Sequence, residues 1–396
     1  MTSCRRLAIV LSHPVQYYSP WFRWLQANNS MEFRVFYLWD FGITRKHDPQ
    51  FGTAFKWDID LLTGYEYEFM PNVSKDPGTH HFRGLDNPQL GQRLNAWRPD
   101  AVLLFGYNWL SNLRTVFWAW RHDVPLILRG DSHLLGRPTT GLFRRTVLTL
   151  LFRKFSAFAY VGLANRDYYR AFGVPDARLF FSPHAVDSQL YDPSLIAHRE
   201  AADRLRRDHG LIDRKVALFA GKFQPAKQPL ALLRAFHQVA GKDDSLVFVG
   251  DGPLKAELIA EIDKRPDRHV VMLPFANQTE MPARYMMADI FALPSSGSYE
   301  TWGLAVNEAM QLGVPCLVSD IVGCQRDLVL PGETGWVFTS GDQHSLTATL
   351  SAALRCSDEE RARLRRNASA RIAGYSYARA AAGLLEALQA MESQHT

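Results

Sequence analysis

Two glutamates, Glu300 and Glu308, flank a short glycine-containing stretch, and their residue types and spacing could form a ligand-binding site. Residues 290–294 are typical of a buried strand, a polar loop follows, and a helical pattern runs from about Gly303 to Gly313. Such a unit aims backbone N–H groups and the positive end of a helix dipole at whatever lies over the loop. We therefore expect an anion such as a diphosphate there, with Glu308 about 7 Å along the helix axis and able to accept from two neighbouring hydroxyls. The spacing alone also fits a pair of surface glutamates.

The residues of this stretch resemble the donor-site signature of glycosyltransferase family 4. The stretch Glu-Thr-Trp-Gly-Leu-Ala-Val-Asn-Glu is followed by Ala-Met-Gln-Leu-Gly-Val-Pro-Cys-Leu-Val-Ser. The resemblance implies a retaining enzyme of the GT-B architecture, an α/β fold of two Rossmann-like domains that face each other across a cleft. It implies that Glu300 contacts the donor sugar and that Glu308 holds the ribose hydroxyls of the nucleotide. The implied donor-binding residues between them are Thr301, Trp302, Gly303 and Leu304, with the last two binding the diphosphate through their amides.

The length of the chain, 396 residues, is about twice that of a typical domain. Strands and helical stretches alternate in two series, which predicts two doubly wound parallel sheets with helices on both faces. We place an N-terminal acceptor domain at residues 1–190, to which a crossing helix at 376–396 returns, and a nucleotide-sugar donor domain at 191–375. Ligands of such sheets lie at the carboxyl ends of the strands.

Composition excludes several classes of protein. A hydrophobic fraction of 47% with 21% charged residues is typical of a soluble, well-cored protein. The four cysteines lack metal-binding spacing and indicate a reducing compartment. Because residues 1–6 show no secretory signal and no run approaches 18 apolar residues, we expect a cytoplasmic protein. A net charge of +5 selects no partner by itself, and we expect no nucleic-acid binding because no reader motif is present.

Further donor-side residues follow other strands of the second series. Lys222 and Lys227 lie in Gly-Lys-Phe-Gln-Pro-Ala-Lys, which resembles a family motif whose two cations clamp the diphosphate. Lysine at 222 supplies a point charge where the family usually has a bidentate arginine. The resemblance implies that Gly252 brings backbone close to the nucleotide, and that main-chain groups at Phe275 and Ala276 read the base.

Candidate residues of the first series lie in three loops at strand ends. Asp131 and His133 occupy the loop where the family places a residue near the reacting sugar, so either is a candidate catalytic residue. A structural hydrogen-bond network is the alternative for both. Tyr107 and Asn108 replace a common His-x-His of the family and are expected to line the acceptor pocket, with His13 on the neighbouring loop.

No metal and no cofactor is expected beyond the nucleotide sugar itself. Asp58 and Asp60 match an Asp-x-Asp pattern by which another glycosyltransferase architecture holds a divalent ion. We interpret the pair as a coincidence, because it lies in a loop-bound segment outside the donor motifs. Lysines and backbone amides are expected to balance the charge of the leaving diphosphate.

Residues 142–154 are basic and apolar, with no acidic residue between Asp131 and Asp167. Such a helix can lie in the interface of an anionic membrane. Alternatively, its apolar face packs on the sheet while its arginines reach the solvent. The first reading predicts peripheral attachment to the inner face of the cell membrane.

The function expected from these residues is transfer of a sugar from a nucleoside diphosphate to a hydroxyl acceptor, either a saccharide or a lipid-linked one. Assembly of polysaccharide, lipopolysaccharide or glycolipid is the default pathway by analogy. The main alternative is a sugar-nucleotide epimerase of the same fold. A phosphorylase-like enzyme would need a pyridoxal-phosphate lysine, for which the sequence offers no convincing context.

Overall fold

The computed structural model describes residues 6–28, 31–43, 46–48, 53–55, 57–136, 141–297 and 300–393. Ser298 and Tyr299, which belong to the polar loop before Glu300, lie outside the described residues. Within the described ranges the strands form two large parallel sheets, one in each half of the chain, and one short hairpin. The prediction of two parallel sheets covered by helices is thereby confirmed.

The first sheet has seven strands in the order β5-β2-β1-β6-β7-β8-β9, all paired in parallel. Its strands are β1 (Arg6–Leu11), β2 (Glu32–Tyr37), β5 (Tyr67–Phe69), β6 (Ala101–Phe105), β7 (Leu126–Gly130), β8 (Ala157–Tyr160) and β9 (Leu179–Phe181). The hairpin pairs β3 (Lys46–Asp48) with β4 (Thr53–Phe55). The sheet order reverses between β1 and β6, so the loops after these two strands border the crevice where such sheets bind ligands.

The second sheet has six strands in the order β12-β11-β10-β13-β14-β15. Its strands are β10 (Lys215–Ala220), β11 (Asp244–Val249), β12 (His269–Leu273), β13 (Ile290–Leu293), β14 (Cys316–Ser319) and β15 (Gly335–Phe338). The order reverses here between β10 and β13, which pair directly. This pairing places the loop that carries Lys222 and Lys227 beside the loop that carries Glu300.

Helices cover both faces of each sheet. Those of the first half are α1 (Ser19–Asn28), α2 (Leu90–Trp97), α3 (Leu110–Arg121), α4 (Leu142–Phe152) and α5 (Leu163–Ala171). Those that follow are α6 (Ile196–Asp208), α7 (Pro229–Val239), α8 (Lys255–Ile262), α9 (Met281–Met286), α10 (Leu304–Gln311), α11 (Gln325–Leu328), α12 (Gln343–Arg355), α13 (Asp358–Ile372) and α14 (Tyr377–Ser393). No helix among the described residues is both long enough and apolar enough to span a bilayer.

Side-chain alternation along β1 explains why this sheet is buried on both faces. Leu7, Ile9 and Leu11 point into one core, which they share with α1 and α14. Ala8 and Val10 point into the opposite core, which contains side chains of α2 and α3. Successive strand residues face opposite sides of a sheet, and an apolar residue at every position is therefore typical of a strand covered twice. The last helix, α14, thus packs on the first sheet although it follows the second in sequence.

The helix that connects the two halves differs from its prediction. The charged stretch 198–214 predicted one helix, but α6 spans Ile196–Asp208. Gly210 adopts a positive φ of 65° two residues after the helix ends, a conformation that terminates helices. Arg214 instead donates to the carbonyl oxygens of Gly210 and Lys242, which fixes the start of β10.

Candidate active site

The cleft between the two sheets holds a cavity of about 460 Å³. The second half of the chain lines it with Ala220, Gly221, Lys222, Lys227, Val249, Gly250, Phe275, Ala276, Gln278, Met281, Tyr285, Glu300, Thr301, Trp302, Gly303, Leu304, Ala305 and Glu308. The first half contributes His13, Gln16, Tyr17, Phe41, Trp57 and Asp131. A second depression, of about 420 Å³, lies between α6 and α9 and contains none of the predicted site residues. The cavity in the cleft is therefore the candidate site.

Gly303 sets the direction in which α10 enters the site. It is the residue before the helix and adopts a left-handed φ of 99°, which favours glycine because it lacks a Cβ atom. A Cβ atom there would also lie 2.9 Å from Cγ1 of Val322. The predicted start of the helix is confirmed, and Glu308 is its fifth residue. The first amides of an α-helix have no acceptor inside the helix, so this end of α10 offers N–H groups and a positive dipole to the cavity.

Glu300 forms an ion pair with Lys227 across the entrance to α10. Ser295 Oγ donates to the same carboxylate oxygen at 2.9 Å, and the Glu300 side chain is 13% exposed. Both charged residues were predicted in the site, and the structure brings them into direct contact. Lys227 must therefore exchange part of its contact with Glu300 for phosphate oxygens if a diphosphate binds over α10.

Glu308 is buried, with 3% of its surface exposed, and accepts hydrogen bonds from three tyrosines. Tyr17 and Tyr191 donate to Oε1 at 3.0 and 2.8 Å, and Tyr285 donates to Oε2 at 2.6 Å. Burial raises the pKa of Glu308, while hydrogen bonds from the three phenols and from the Gln278 side chain act in the opposite direction without cancelling it. The predicted ribose-binding carboxylate thus lies in the cavity wall with most of its acceptor sites already used.

The loop with Lys222 is held by the loop after β11. Phe223 N–H donates to Asp251 O at 2.8 Å, and Leu254 N–H donates to Phe223 O at 2.9 Å. Lys222 and Gly250 line the cavity, but the predicted Gly252 does not. A Cβ atom at Gly252 would lie 2.7 Å from Phe223 O, so its backbone packs against that loop. Phe275 and Ala276 line the cavity as predicted.

Asp131 is the first-half residue whose carboxylate meets the donor loop. Thr301 Oγ1 donates to its Oδ2 at 2.8 Å, and 38% of its side chain remains exposed toward the cleft. Burial alone would raise the pKa of Asp131, but the neighbouring His184 and the Thr301 hydroxyl lower it below its ordinary value. The carboxylate is therefore ionised at neutral pH.

His133 does not line the cavity, in contrast to Asp131. Its side chain is fully buried, its Nδ1 accepts from Leu135 N–H at 3.1 Å, and its Nε2 lies 3.2 Å from Glu300 O. Because an amide can only donate and a carbonyl can only accept, these contacts select the neutral tautomer with the proton on Nε2. In this geometry His133 takes part in a hydrogen-bond network that holds the Glu300 backbone.

The other predicted acceptor-side residues differ in whether they line the cavity. His13 lines the cavity, with its ring against Trp39 and Phe41 and its Nδ1 3.0 Å from Ser12 Oγ. Burial lowers the pKa of His13 to about 4, so its ring is neutral at physiological pH.

Tyr107 and Asn108 are absent from the cavity lining. The Tyr107 hydroxyl hydrogen-bonds the hydroxyl of Tyr168 at 2.5 Å, and its ring packs edge-on against Phe152. Asn108 is exposed to solvent. The Tyr107 side chain packs against the apolar core next to β6. It therefore does not reach the cleft, although Tyr107 lies directly after the end of a strand.

The two aspartates of the Asp-x-Asp pattern both bond protein groups. Asp58 accepts from Thr279 N–H at 3.2 Å across the cleft, and Asp60 accepts from Leu62 and Thr63 N–H at 3.0 and 3.1 Å. Among the described residues, neither aspartate belongs to a group of three side chains close enough to share a metal ion.

A different group, Asp76, His80 and His81, has ligand atoms within 4.8 Å of one another. It lies on a surface loop and lines no part of the cavity.

Several cavity residues escaped the sequence analysis. Gln16 and Tyr17 follow His13 on the chain segment after β1, but nothing in the sequence distinguished them from their neighbours. Trp57 and Tyr285 carried no signal at all. His184 does not line the cavity, but it is buried behind Asp131, with its Nε2 3.8 Å from Asp131 Oδ2.

Comparison with known sequences matches residues 202–371 to the model of the family described as glycosyl transferases group 1. A GDP-mannose-dependent alpha-(1-6)-phosphatidylinositol monomannoside mannosyltransferase of Mycolicibacterium smegmatis is 29% identical over 214 residues, 52% of this chain and 55% of the relative. A D-inositol 3-phosphate glycosyltransferase of Corynebacterium efficiens is 31% identical over 220 residues, 53% and 50% of the two chains. The alignments thus span about half the length of each relative. Both relatives are transferases, which does not favour the epimerase alternative.

Comparison with solved structures identifies the fold across the whole chain. The structure of Anabaena Alr3699/HepE in complex with UDP and glucose superimposes with a TM-score of 0.72, covering 97% of this chain and 99% of that one at 17% identity. WaaG, a glycosyltransferase involved in lipopolysaccharide biosynthesis, superimposes with a TM-score of 0.65 over 96% and 99% of the two chains, also at 17% identity. The predicted GT-B architecture is confirmed.

Proposed function

We propose that this chain, whose residues 202–371 match the model of the glycosyl transferases group 1 family, transfers a sugar from a nucleoside diphosphate to a hydroxyl acceptor with retention at the anomeric carbon. One observation carries the proposal. The amino end of α10, the Lys227–Glu300 pair and the buried Glu308 lie on one wall of one cavity. This order along the wall suits a diphosphate between a sugar and a ribose.

The proposed chemistry follows from where charge develops. As the bond between the sugar and the diphosphate breaks, negative charge grows on the departing phosphate oxygen. Lys222, Lys227 and the first amides of α10 stabilise it by preorganised electrostatics. The departing oxygen takes the proton of the attacking acceptor hydroxyl on the same face of the sugar. Glu300 orients the sugar and, through its pair with Lys227, limits how far that cation can move.

Turnover of nucleotide sugars tests this proposal. Purified protein is incubated with UDP- and GDP-sugars, with and without acceptor extracts, and release of nucleoside diphosphate is measured. Lys227→Met should reduce turnover about ten- to a hundredfold, since hydrogen bonds to charged groups contribute about 1.5–3 kcal/mol. Lys242→Met, on an exposed turn outside the cavity, is the matched control. Conversion of a donor without diphosphate release would contradict transfer and favour an epimerase.

Metal independence is part of the same proposal. The negative charge of the diphosphate is balanced by lysines and by the positive end of a helix dipole. The described cavity wall holds no cluster of metal-ligating side chains. Transfer should therefore continue in EDTA. Loss of activity in EDTA that manganese or magnesium restores would contradict this part and return attention to Asp58 and Asp60.

The acceptor is proposed to be lipid-linked, because the first half presents an apolar and basic surface around α4. Leu142 and Phe143 are 83% and 84% exposed, and Val147 and Leu150 continue the same exposed face. Leu148 and Phe152 pack on the core, so the sheet covers only part of this helix. Four exposed cations accompany it: Arg144, Arg145, Arg153 and Lys154. We place the protein in the cytoplasm, bound peripherally to the inner face of the membrane through this surface.

Vesicle sedimentation tests the membrane contact. Replacing the four cations of α4 and its C-terminal end with glutamine should release the protein from anionic vesicles, because each basic residue near such a surface contributes about 1 kcal/mol. The control replaces four exposed cations of the second half with glutamine: Arg204, Arg207, Lys242 and Lys264. Wild-type protein that ignores anionic vesicles at low salt would contradict the contact. Both variants should glycosylate a soluble acceptor, since the donor loops are unchanged.

A further inference from the structure

The carboxylate of Glu308 has few acceptor sites left for a ligand. Each carboxylate oxygen accepts about two hydrogen bonds. Oε1 already receives the hydroxyls of Tyr17 and Tyr191, and Oε2 receives that of Tyr285. Glu308 is also 97% covered, with 3% of its surface exposed. A ribose carries two neighbouring hydroxyls, and this carboxylate can bind at most one of them without displacing a tyrosine.

The three tyrosines differ in what their hydroxyls can reach. Tyr191 is 1% exposed, does not line the cavity, and also approaches Gln278 Oε1 at 3.2 Å. Tyr285 also lines the cavity, but it lies on α9 within the second half and is only 1% exposed. Tyr17 comes from the first half, is only partly buried, and lines the cavity beside Glu308. Its hydroxyl is therefore positioned between the carboxylate and a ligand in the cleft.

Tyr17 has a defined role as a donor to Glu308, which leaves its oxygen as an acceptor. Burial, the neighbouring carboxylate and their hydrogen bond raise the pKa of Tyr17 well above its ordinary value, so the phenol stays protonated. Because its single proton is directed to Glu308, the phenol oxygen has two acceptor sites, of which the Gln16 side chain uses one, so the other can receive a hydrogen bond from a ligand hydroxyl. A carboxylate that accepts from a phenol also makes that phenol oxygen a better acceptor, since hydrogen bonds in a chain polarise one another.

We propose that Tyr17 is a ribose-recognition residue: its hydroxyl, held by Glu308, accepts a hydrogen bond from a ribose hydroxyl of the donor nucleotide. The proposal rests on the nucleotide-sugar function proposed above. It shares donor recognition between the two halves of the chain, because Tyr17 belongs to the loop after β1 while Glu308 belongs to α10. Full affinity for a ribonucleotide therefore requires the closed arrangement of the two sheets that the structure shows.

Binding of ribo- and deoxyribonucleotides tests this inference. Calorimetry is carried out on wild-type protein, Tyr17→Phe and Tyr191→Phe with UDP, GDP and ADP and with the 2′-deoxy and 3′-deoxy forms of the one that binds. Wild-type protein should prefer the ribo form over at least one deoxy form about three- to tenfold, the range expected for one hydrogen bond. Tyr17→Phe should bring that ratio close to one.

Tyr191→Phe is the matched control, because it removes a hydrogen bond to the same oxygen of Glu308 from a side chain outside the cavity. It should keep the wild-type ratio. Two results for the ratio would overturn the inference: an unchanged ratio in Tyr17→Phe, or an equal loss of the ratio in both variants. Tighter ribonucleotide binding by Tyr17→Phe would also overturn it, because the Tyr17 hydroxyl would then compete with the ribose for Glu308. Wild-type protein that binds none of the three diphosphates would instead overturn the proposed function together with this inference.

Discussion

The two walls of the cleft both consist of loops at the carboxyl ends of parallel strands, but they use their polar side chains differently. On the second-half wall, Lys227 and Glu300 pair with each other, and Glu300 also accepts from Ser295 of the same half. On the first-half wall, Asp131 bonds Thr301 and His133 bonds the Glu300 backbone, so both reach across to the opposite half. The Lys227–Glu300 pair of the second-half wall thus forms within one half, although Glu308 on the same wall also receives Tyr17 of the other half, whereas the first-half contacts of Asp131 and His133 form only when the halves dock.

This difference has a chemical cause in the proposed function. Nucleoside diphosphate sugars share a diphosphate and a pentose, so a wall that binds them can be built from two neighbouring strand-loop-helix units, those that follow β10 and β13. The opposite wall combines acceptor contacts with the contacts that close the cleft. Its polar residues therefore include groups such as His133 that position the donor loop without touching the cavity. Variants that act on one wall or on the contact between walls can separate these roles.

The largest effect is expected when the second-half wall loses Glu308. Glu308→Ala removes the acceptor of three tyrosine hydroxyls, two of which are almost fully buried. The carboxylate can bind one ribose hydroxyl, and a hydrogen bond to a charged group contributes about 1.5–3 kcal/mol, so nucleotide affinity should fall about ten- to a hundredfold. The melting temperature should also fall, because buried hydroxyls without an acceptor destabilise the folded state. Calorimetry and thermal unfolding measure the two effects, and Glu308→Gln, which keeps one acceptor oxygen, should show a smaller loss in both. Unchanged nucleotide binding in Glu308→Ala would remove Glu308 from the site.

A smaller effect is expected when only the contact between the walls is disturbed. Gly162 lies before α5, and a Cβ atom there would lie 2.4 Å from the Trp302 ring and 2.9 Å from Asp327 Oδ2. Forcing an extra methyl group into a packed contact costs about 1–3 kcal/mol. Gly162→Ala should therefore reduce kcat/KM about tenfold through poorer closure, while the strand-loop-helix unit that binds the diphosphate remains intact.

Small-angle scattering of Gly162→Ala, with and without nucleotide, should show a more open molecule than the wild type. Gly141→Ala is the control, because no atom lies within 4 Å of the added methyl group. Equal activity of the two variants would mean that the contact between the walls at Trp302 does not limit turnover.

The smallest effect is expected for His13 on the first-half wall, as a loss of folding stability at acidic pH. Burial lowers the folded-state pKa of His13 to about 4, below the value of 6.5 in an unfolded chain. The unfolded state thus binds more protons between these values, so stability is lost as pH falls from about 6.5 toward 4. The loss should be on the order of 1 kcal/mol, because the partly exposed ring faces water in the cavity.

Urea unfolding of wild-type protein and His13→Asn at pH 7 and pH 5 measures this loss, and the variant should lose less stability than the wild type. His344→Asn, at an exposed position, should behave as the wild type does. A steeper pH dependence in His13→Asn would reverse the sign and contradict burial of a neutral ring.

Local patterns in the sequence determined the two sheets and most of the second-half wall. Runs such as 101–105 and 290–293 consist entirely of apolar residues because both faces of each sheet are covered, and they coincide with β6 and β13. The helix start after Gly303 could be predicted because the left-handed backbone conformation before the helix favours glycine. Lys227, Glu300 and Glu308 were found because a strand, a loop and a helix place them with little help from the rest of the chain.

Only the tertiary structure decided which first-half side chains reach the cleft. Tyr17 meets Glu308 across 291 positions of sequence, and the contact depends on how two separate sheets dock. Tyr107 and His133 carry residue types suited to a site, yet packing under the first sheet turns one inward and the other against the Glu300 backbone. Sequence patterns report which face of an element is buried, whereas the orientation of two domains is set by many contacts between distant residues.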